Sequence, residues 1–314
     1  MPLTLRRGRV TAIVERHEEL VRLEVDGVAC VAYPRLTGPV EDGDDVLVNV
    51  QARELELGSG GFDLLYANLS RGLELPGDPG AHVMALPYTP GQVTQSYEEE
   101  AAAELPGSLG GLPVVLCTVH SQVAPVCAGL RGRRVAYVQV AGGALPVSFS
   151  DAVRALKGRG LVEVACAVAP CLDGDAQFVS AAAALAWAAA QGHDAAVCSV
   201  GPGVVGTGTR LGHGALSLAD VANAAVALGG RPVLAVRTSQ ADARERHLGT
   251  SHHARAVLDL CLGEVAVAED ADGEGWEEAC AGLPLSHMGR GPEEDPAFFR
   301  AAYAAGVVAR GLVG

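Results

Sequence analysis

Lysine is almost missing from this chain. Among 314 residues only Lys157 is a lysine, and arginine carries nearly all the positive charge. No Gly-Lys-Ser/Thr exists, so a P-loop is excluded. A kinase-type strand lysine is absent as well, and Schiff-base catalysis would have to use Lys157. That residue sits in Leu156-Lys157-Gly158-Arg159-Gly160, which reads as an exposed helix end. Long apolar runs are missing too. The Ala-rich stretch 178–190 falls short of the roughly 20 apolar residues that a spanning helix needs. Met1-Pro2-Leu3-Thr4-Leu5-Arg6-Arg7 has no apolar signal segment, so a cytoplasmic protein is expected, with no membrane partner. The eight cysteines contain no C-x-x-C pair and read as small buried residues. A net charge of −14 leaves no basic face for nucleic acid, despite the local run of Arg6, Arg7 and Arg9. No G-x-S-x-G elbow exists, which leaves little room for serine hydrolase chemistry at Ser121.

What is present falls into three segments. Residues 1–74 alternate on a period of two: Arg9–Val14, Leu20–Val25, Val28–Tyr33, Val46–Val50 and Asp63–Ala67, with Asp26-Gly27 as a hairpin turn. Short strands at this density predict a small β-barrel, SH3-like or OB-like. Residues 75–111 form a connecting segment, rich in Pro and Gly through Gly91. In 112–314, apolar runs alternate with helical stretches. Strands are expected near 114–119, 134–140, 161–168, 195–200, 232–236 and 264–268. Helices are expected near 124–130, 150–157, 176–191, 216–228, 253–260 and 296–310. Unbroken apolar strands alternating with helices predict a doubly wound, mostly parallel, Rossmann-like α/β domain.

In such a sheet the ligand lies outside the carboxyl ends of the strands. Those ends carry His120-Ser121-Gln122, Ala141-Gly142-Gly143-Ala144, Asp173-Gly174-Asp175, a glycine-rich loop, and Arg237 with the segment running to His253. Five of the nine histidines (120, 213, 247, 252 and 253) fall there. The loop contains Gly201, Gly203, Gly206, Thr207, Gly208, Thr209 and Arg210, donors suited to cradling a phosphate or carboxylate. Its G-x-G-x-x-G also admits NADP, because Arg237 rather than an acid ends the next strand. Packing between strand and helix is the third explanation of these glycines.

Arg237 is the best anion ligand by position, since it directly ends a buried strand. Arg244, Arg246 and Arg255 are explained equally by ion pairs with Asp242 and Glu245. The histidines support a divalent metal, with His247, His252 and His213 as ligands, or proton transfer without one. Adjacent His252 and His253 are not expected to face one point together. His120 and Asp173, or Asp175, would line the opposite wall. His17, His82, His193 and His287 are read as packing residues.

Several motifs resemble a bacterial family, domain of unknown function 3866. They are Leu57-Gly58-Ser59-Gly60-Gly61-Phe62-Asp63 with Ala67-Asn68-Leu69, Gly80-Ala81-His82-Val83-Met84 with Tyr88-Thr89-Pro90, and His120-Ser121-Gln122. The most specific run from Gly201 to Thr209, with Arg244-Glu245-Arg246-His247 and Ser251-His252-His253. Ala81 separates a glycine and a histidine that the resemblance would make contiguous. The resemblance implies a bacterial cytoplasmic protein and supplies no reaction.

The residues themselves point first to an enzyme acting on a small anionic metabolite, phosphorylated or nucleotide-like, by hydrolysis or group transfer. Its catalytic candidates are His247, His252, His120 and Asp173. A non-catalytic sensor or scaffold binding the same ligand is the alternative, and an NADP-dependent oxidoreductase is the third reading. An acidic two-domain chain also suits a homodimer.

Overall fold

The computed structural model describes residues 3–56, 60–71, 74, 75, 77, 79–101 and 104–313. Leu57-Gly58-Ser59 of the first shared motif lies outside them. The chain divides into two compact units, residues 1–96 and 97–314.

In the first unit β1 (Leu5–Arg16), β2 (Val21–Val25), β3 (Val28–Ala32), β4 (Asp45–Asn49) and β5 (Asp63–Asn68) close into a barrel in the order β1-β2-β3-β5-β4. Asp26 (φ 51°) and Gly27 (φ 76°) make the tight β2–β3 turn, where both residues must be left-handed. Alternate residues such as Leu23, Val25, Val46 and Val48 point inward and form the barrel core. Two single-turn helices, α1 (Pro34–Thr37) and α2 (Gln51–Glu54), join the strands. The Pro- and Gly-rich segment that follows holds a short hairpin of β6 (Val83–Ala85) and β7 (Val93–Gln95).

The second unit opens with a helical turn, α3 (Glu98–Ala101), and is built on one seven-stranded sheet. Its strands are β8 (Pro113–Cys117), β9 (Val135–Val140), β10 (Val164–Val168), β11 (Ala176–Phe178), β12 (Ala195–Val200) and β13 (Arg231–Ala235). After a small ladder of β14 (Thr238–Ser239) and β15 (Gly249–Thr250), β16 (Ala266–Val267) completes it. All pairings in the large sheet are parallel, in the order β11-β10-β9-β12-β8-β13-β16. Both faces are covered. Val115, Cys117, Tyr137 and Val197 pack against α4 (Val123–Gly129), α5 (Asp151–Gly158), α9 (Trp276–Ala279) and the last helix, α10 (Pro296–Leu312). Val114, Leu116, Val138 and Cys198 pack against α6 (Ala181–Ala190), α7 (Ser217–Ala227) and α8 (His252–Leu260). Burial on both sides explains why these strands read as unbroken apolar runs. Among the described residues no helix is long and apolar enough to cross a membrane.

One element departs from the sequence expectation. The helix read from Ala176 to Gln191 begins only at Ala181, where the Ser180 hydroxyl caps it by accepting from Ala183 N–H. Ala176–Phe178 is instead the edge strand β11, paired with β10. Three residues carry no period of their own, so β10 decides their conformation. The shift also moves Asp175. It stands before β11, ion-paired with Lys157 and accepting from Ala165 N–H at the start of β10, rather than at a carboxyl edge.

Four neighbouring strands create the crevice. β9 and β8 send the chain to α5 and α4 on one face, whereas β12 and β13 send it to α7 and α8 on the other. In the order β9-β12-β8-β13 the connections therefore part alternately, and a gap opens at the carboxyl ends.

Candidate functional site

The glycines on the floor of the crevice are there for backbone contact. A Cβ on Gly143 would lie 2.1 Å from Gly201 O, and one on Gly201 would lie 2.0 Å from Ala144 O. Gly142 and Gly214 meet in the same way, at 2.4 and 2.1 Å. These pairs clamp the loop after β9 to the loop after β12. Beyond the clamp, Gly206 bridges His213, Thr207 N–H donates to Gly212 O, and the Thr207 and Thr209 hydroxyls bond each other. Gly203 (φ 71°) and Gly208 (φ 78°) turn this exposed hairpin. Arg210 leaves it to pair with Asp259 on α8 at 2.6 Å, both side chains exposed. In a dinucleotide fingerprint the glycines open directly into a helix. Here Thr207–Leu216 intervene before α7, so the G-x-G-x-x-G match has lost its geometry.

The hairpin delivers His213 to the start of α8, where His252 and His253 occupy the first helical positions and His247 lies just upstream. Four imidazoles pack together. Ring centroids are 5.4 Å apart for His213–His252, 3.9 Å for His213–His253 and 4.4 Å for His252–His253. His247 lies 4.9 Å from His252 and 5.0 Å from His253. Adjacent His252 and His253 pack into one ring cluster, although His253 Nδ1 is turned to Arg237. At a helix N-terminus no preceding turn restricts the side chains, and the hairpin and the 245–247 turn wrap around both. Ser251 organises this end: its hydroxyl caps α8 by accepting from His253 N–H and lies 2.7 Å from His247 Nδ1.

All four rings are neutral near pH 7. Burial pulls His247 down to about 3, with Arg237 and Arg244 adding to it, and takes His253 to about 2 with help from His213. His213 and His252 shift the same way, by burial first and then by His252 and Arg246 respectively. Neither ring nitrogen of His213 reaches hydrogen-bonding geometry with a protein partner, although the Arg210 backbone lies close. His252 Nε2 is also buried without a partner. The nitrogens of His213, His252 and His253 lie within 4.8 Å of one another. His247, named with His213 and His252 as a ligand from sequence, is not in that trio.

Arg237 forms the wall beside them. It is 2% exposed, donates from Nη1 to His253 Nδ1 at 3.2 Å, and has no partner for Nε. Burial lowers it to about 10, so it stays charged. Its counter-ion is Asp242, 3.6 Å away, which Arg244 grips with two bonds and Arg290 approaches at 3.5 Å. Arg290 also meets buried Asp295 at 3.3 Å. Three guanidiniums thus face two carboxylates, and the knot keeps positive charge in excess. Asp242 is held well below the carboxylate range, chiefly by Arg244.

His120 is tied elsewhere. Its Nε2 lies 2.6 Å from Ser150 Oγ, the cap of α5, and its Nδ1 faces Val200 O and the Tyr137 hydroxyl at 3.3 Å. Burial lowers it to about 4. Asp173 accepts from Ser148 Oγ at 3.0 Å, beside the same helix start. The structure therefore gathers His213, His247, His252, His253 and Arg237, while His120 and Asp173 belong to the approach to α5. A cavity of about 520 Å³ opens next to the cluster, lined by Ala141, Gly142, His213, Gly214, Ser217 and Asp220.

A family profile described as a protein of unknown function (DUF3866) matches residues 29–277. The chain belongs to the DUF3866 family. That match includes the crevice residues from His120 to His253 and ends before His287 and Arg290. None of the curated proteins matches the chain.

Sequence reasoning missed part of the site. His287, read as a packing residue, bonds Ser121 Oγ through Nδ1 at 2.9 Å and stacks on Phe298, with its buried Nε2 unpartnered. Arg290 arrives on the same tight turn, through Met288 (φ 54°) and Gly289 (φ 77°). Gly289 and Gly291-Pro292 are local turn signals there. Nothing in the sequence joined that turn to Asp242.

Proposed function

We propose that this DUF3866 protein is an enzyme that hydrolyses, or transfers a group from, a small phosphorylated or nucleotide-like anion bound in the crevice. One observation carries the reading: a buried Arg237 with an unpartnered Nε, in a knot with excess positive charge, inside a chain of net charge −14. A buried donor without a partner costs about 1–3 kcal/mol, which an anionic oxygen would recover. The guanidinium fork suits phosphate or carboxylate. Neutral imidazoles beside it can take a proton from an attacking group or give one to a leaving group, and His247, with Nδ1 against Ser251 Oγ, is the residue assigned that work.

A cytoplasmic location goes with this reading. All eight cysteines are free, as expected in a reducing compartment.

The test is a thermal-shift and calorimetric panel of inorganic phosphate, pyrophosphate and nucleoside mono-, di- and triphosphates, with product release followed in parallel. At least one anion should stabilise the wild type, and Arg237→Lys should weaken it about tenfold or more, or about 1.4 kcal/mol. A panel in which no anion binds would sink the proposal. An anion bound tightly and recovered unchanged would make the protein a sensor instead.

A further inference from the structure

We propose that His213, His252 and His253 form a binding site for a divalent transition metal, with a fourth position open to the crevice. The proposal shares the crevice with the anion reading and does not depend on turnover. His213 is 6% exposed, and neither of its ring nitrogens has a hydrogen-bond partner of acceptable geometry. His252 Nε2 is buried and unpartnered as well. Buried ring nitrogens without partners, in a trio whose ligand atoms lie within 4.8 Å of one another, are a cost that a cation removes.

Ring geometry supports the same pair. Two imidazoles bound to one tetrahedral ion through bonds of about 2.0–2.1 Å place their centroids about 5 Å apart. His213 and His252 stand at 5.4 Å with their planes at 79°.

His253 is the ligand that must move. It stacks on His213 at 3.9 Å and 21°, and two near-parallel stacked rings cannot both contain one ion in their planes. Its Nδ1 lone pair receives Arg237 Nη1–H. A neutral imidazole has one nitrogen lone pair to give. Ligation therefore requires the His253 ring to swing off His213 and exchange Arg237 for the ion. That exchange frees Nη1 of Arg237, next to an Nε that is already unpartnered. Metal loading thus turns Arg237 from a histidine's partner into an anion's partner. His247 stays outside the ligand set, its Nδ1 held by Ser251 Oγ.

Three neutral nitrogen ligands select zinc, cobalt or nickel over magnesium or calcium, which take oxygen. They also leave the ion its full double charge, to act on a bound water or an anionic oxygen.

The experiment is zinc titration of chelator-treated full-length protein, with metal measured by elemental analysis after gel filtration. Wild type should retain about one zinc per chain, and alanine at His213, His252 or His253 should each weaken binding by about tenfold or more. His247→Asn should bind as wild type does. Cobalt-loaded wild type supplies a readout that no variant can confuse by misfolding: intense visible d–d bands of a four-coordinate ion support the site. Pale bands of a six-coordinate ion overturn it, as does wild type that retains no zinc. Loss at His247→Asn equal to the loss at His213→Ala overturns the ligand set. Zinc retained by a protein that ignores every phosphate probe would remove the anion reading and leave this one standing.

Discussion

Gly201 and Gly203 sit two residues apart in one loop and do different jobs. Gly201 touches the Ala144 carbonyl, so a Cβ there would have to push two loops apart. Gly203 is left-handed at φ 71° with open space around it. Gly201→Ala should therefore cost about 3 kcal/mol or more, and Gly203→Ala about 1 kcal/mol, compared by denaturant midpoints. Equal small losses would remove the clamp from the account of the crevice. At this scale the sequence was informative about residue types and poor about partners. The concentration of histidine at strand ends was legible because it needs only the approximate strand boundaries. That His287 meets Ser121, or that Arg290 meets Asp242, was not legible. Those contacts join segments separated by 166 and 48 positions, and no local period links them.

At the scale of elements, α10 crosses α4 through two glycines. A Cβ on Gly306 would meet Val126 O at 2.1 Å, and one on Gly129 would meet Tyr303 O at 2.5 Å. Gly311, in the same helix, faces open space. We expect Gly306→Ala to lose about 2–3 kcal/mol by forcing the helices apart. Gly311→Ala should gain up to about 1 kcal/mol from helix propensity. Chemical denaturation of the two variants decides it, and a neutral Gly306→Ala would mean that the crossing is loosely packed. The sequence placed both helices within a few residues because each has a full amphipathic or apolar pattern and clear ends. It misplaced β11, whose three residues become a strand only because β10 offers an edge.

At the scale of the molecule, the three apolar clusters respect the division at 96/97. One lies wholly within residues 10–65, and the other two lie wholly within residues 109–309. Residues 97–314 should accordingly fold alone, with cooperative urea unfolding, and should bind zinc as the full chain does. A fragment that remains molten, with exposed apolar surface and no cooperative transition, would show that the second unit depends on the first.

The sequence by itself determined the two architectures and the edge of the sheet where chemistry gathers. Period-two alternation with a hairpin turn specifies the barrel, and unbroken apolar strands between helices specify a sheet buried on both faces. Both are local patterns, repeated often enough that single errors such as β11 do not change the answer. Only the tertiary structure decided the strand order, the loop clamp and the composition of the site. Strand order depends on which face each connection crosses, and ring-to-ring and guanidinium-to-carboxylate contacts depend on distances of a few ångströms between remote segments. His120 and His252 look alike along the chain, since each lies in the segment that follows an apolar run read as a strand. Folding gives one of them hydrogen-bonding contacts at both nitrogens and leaves the other with an unpartnered buried nitrogen in a cluster with three more histidines.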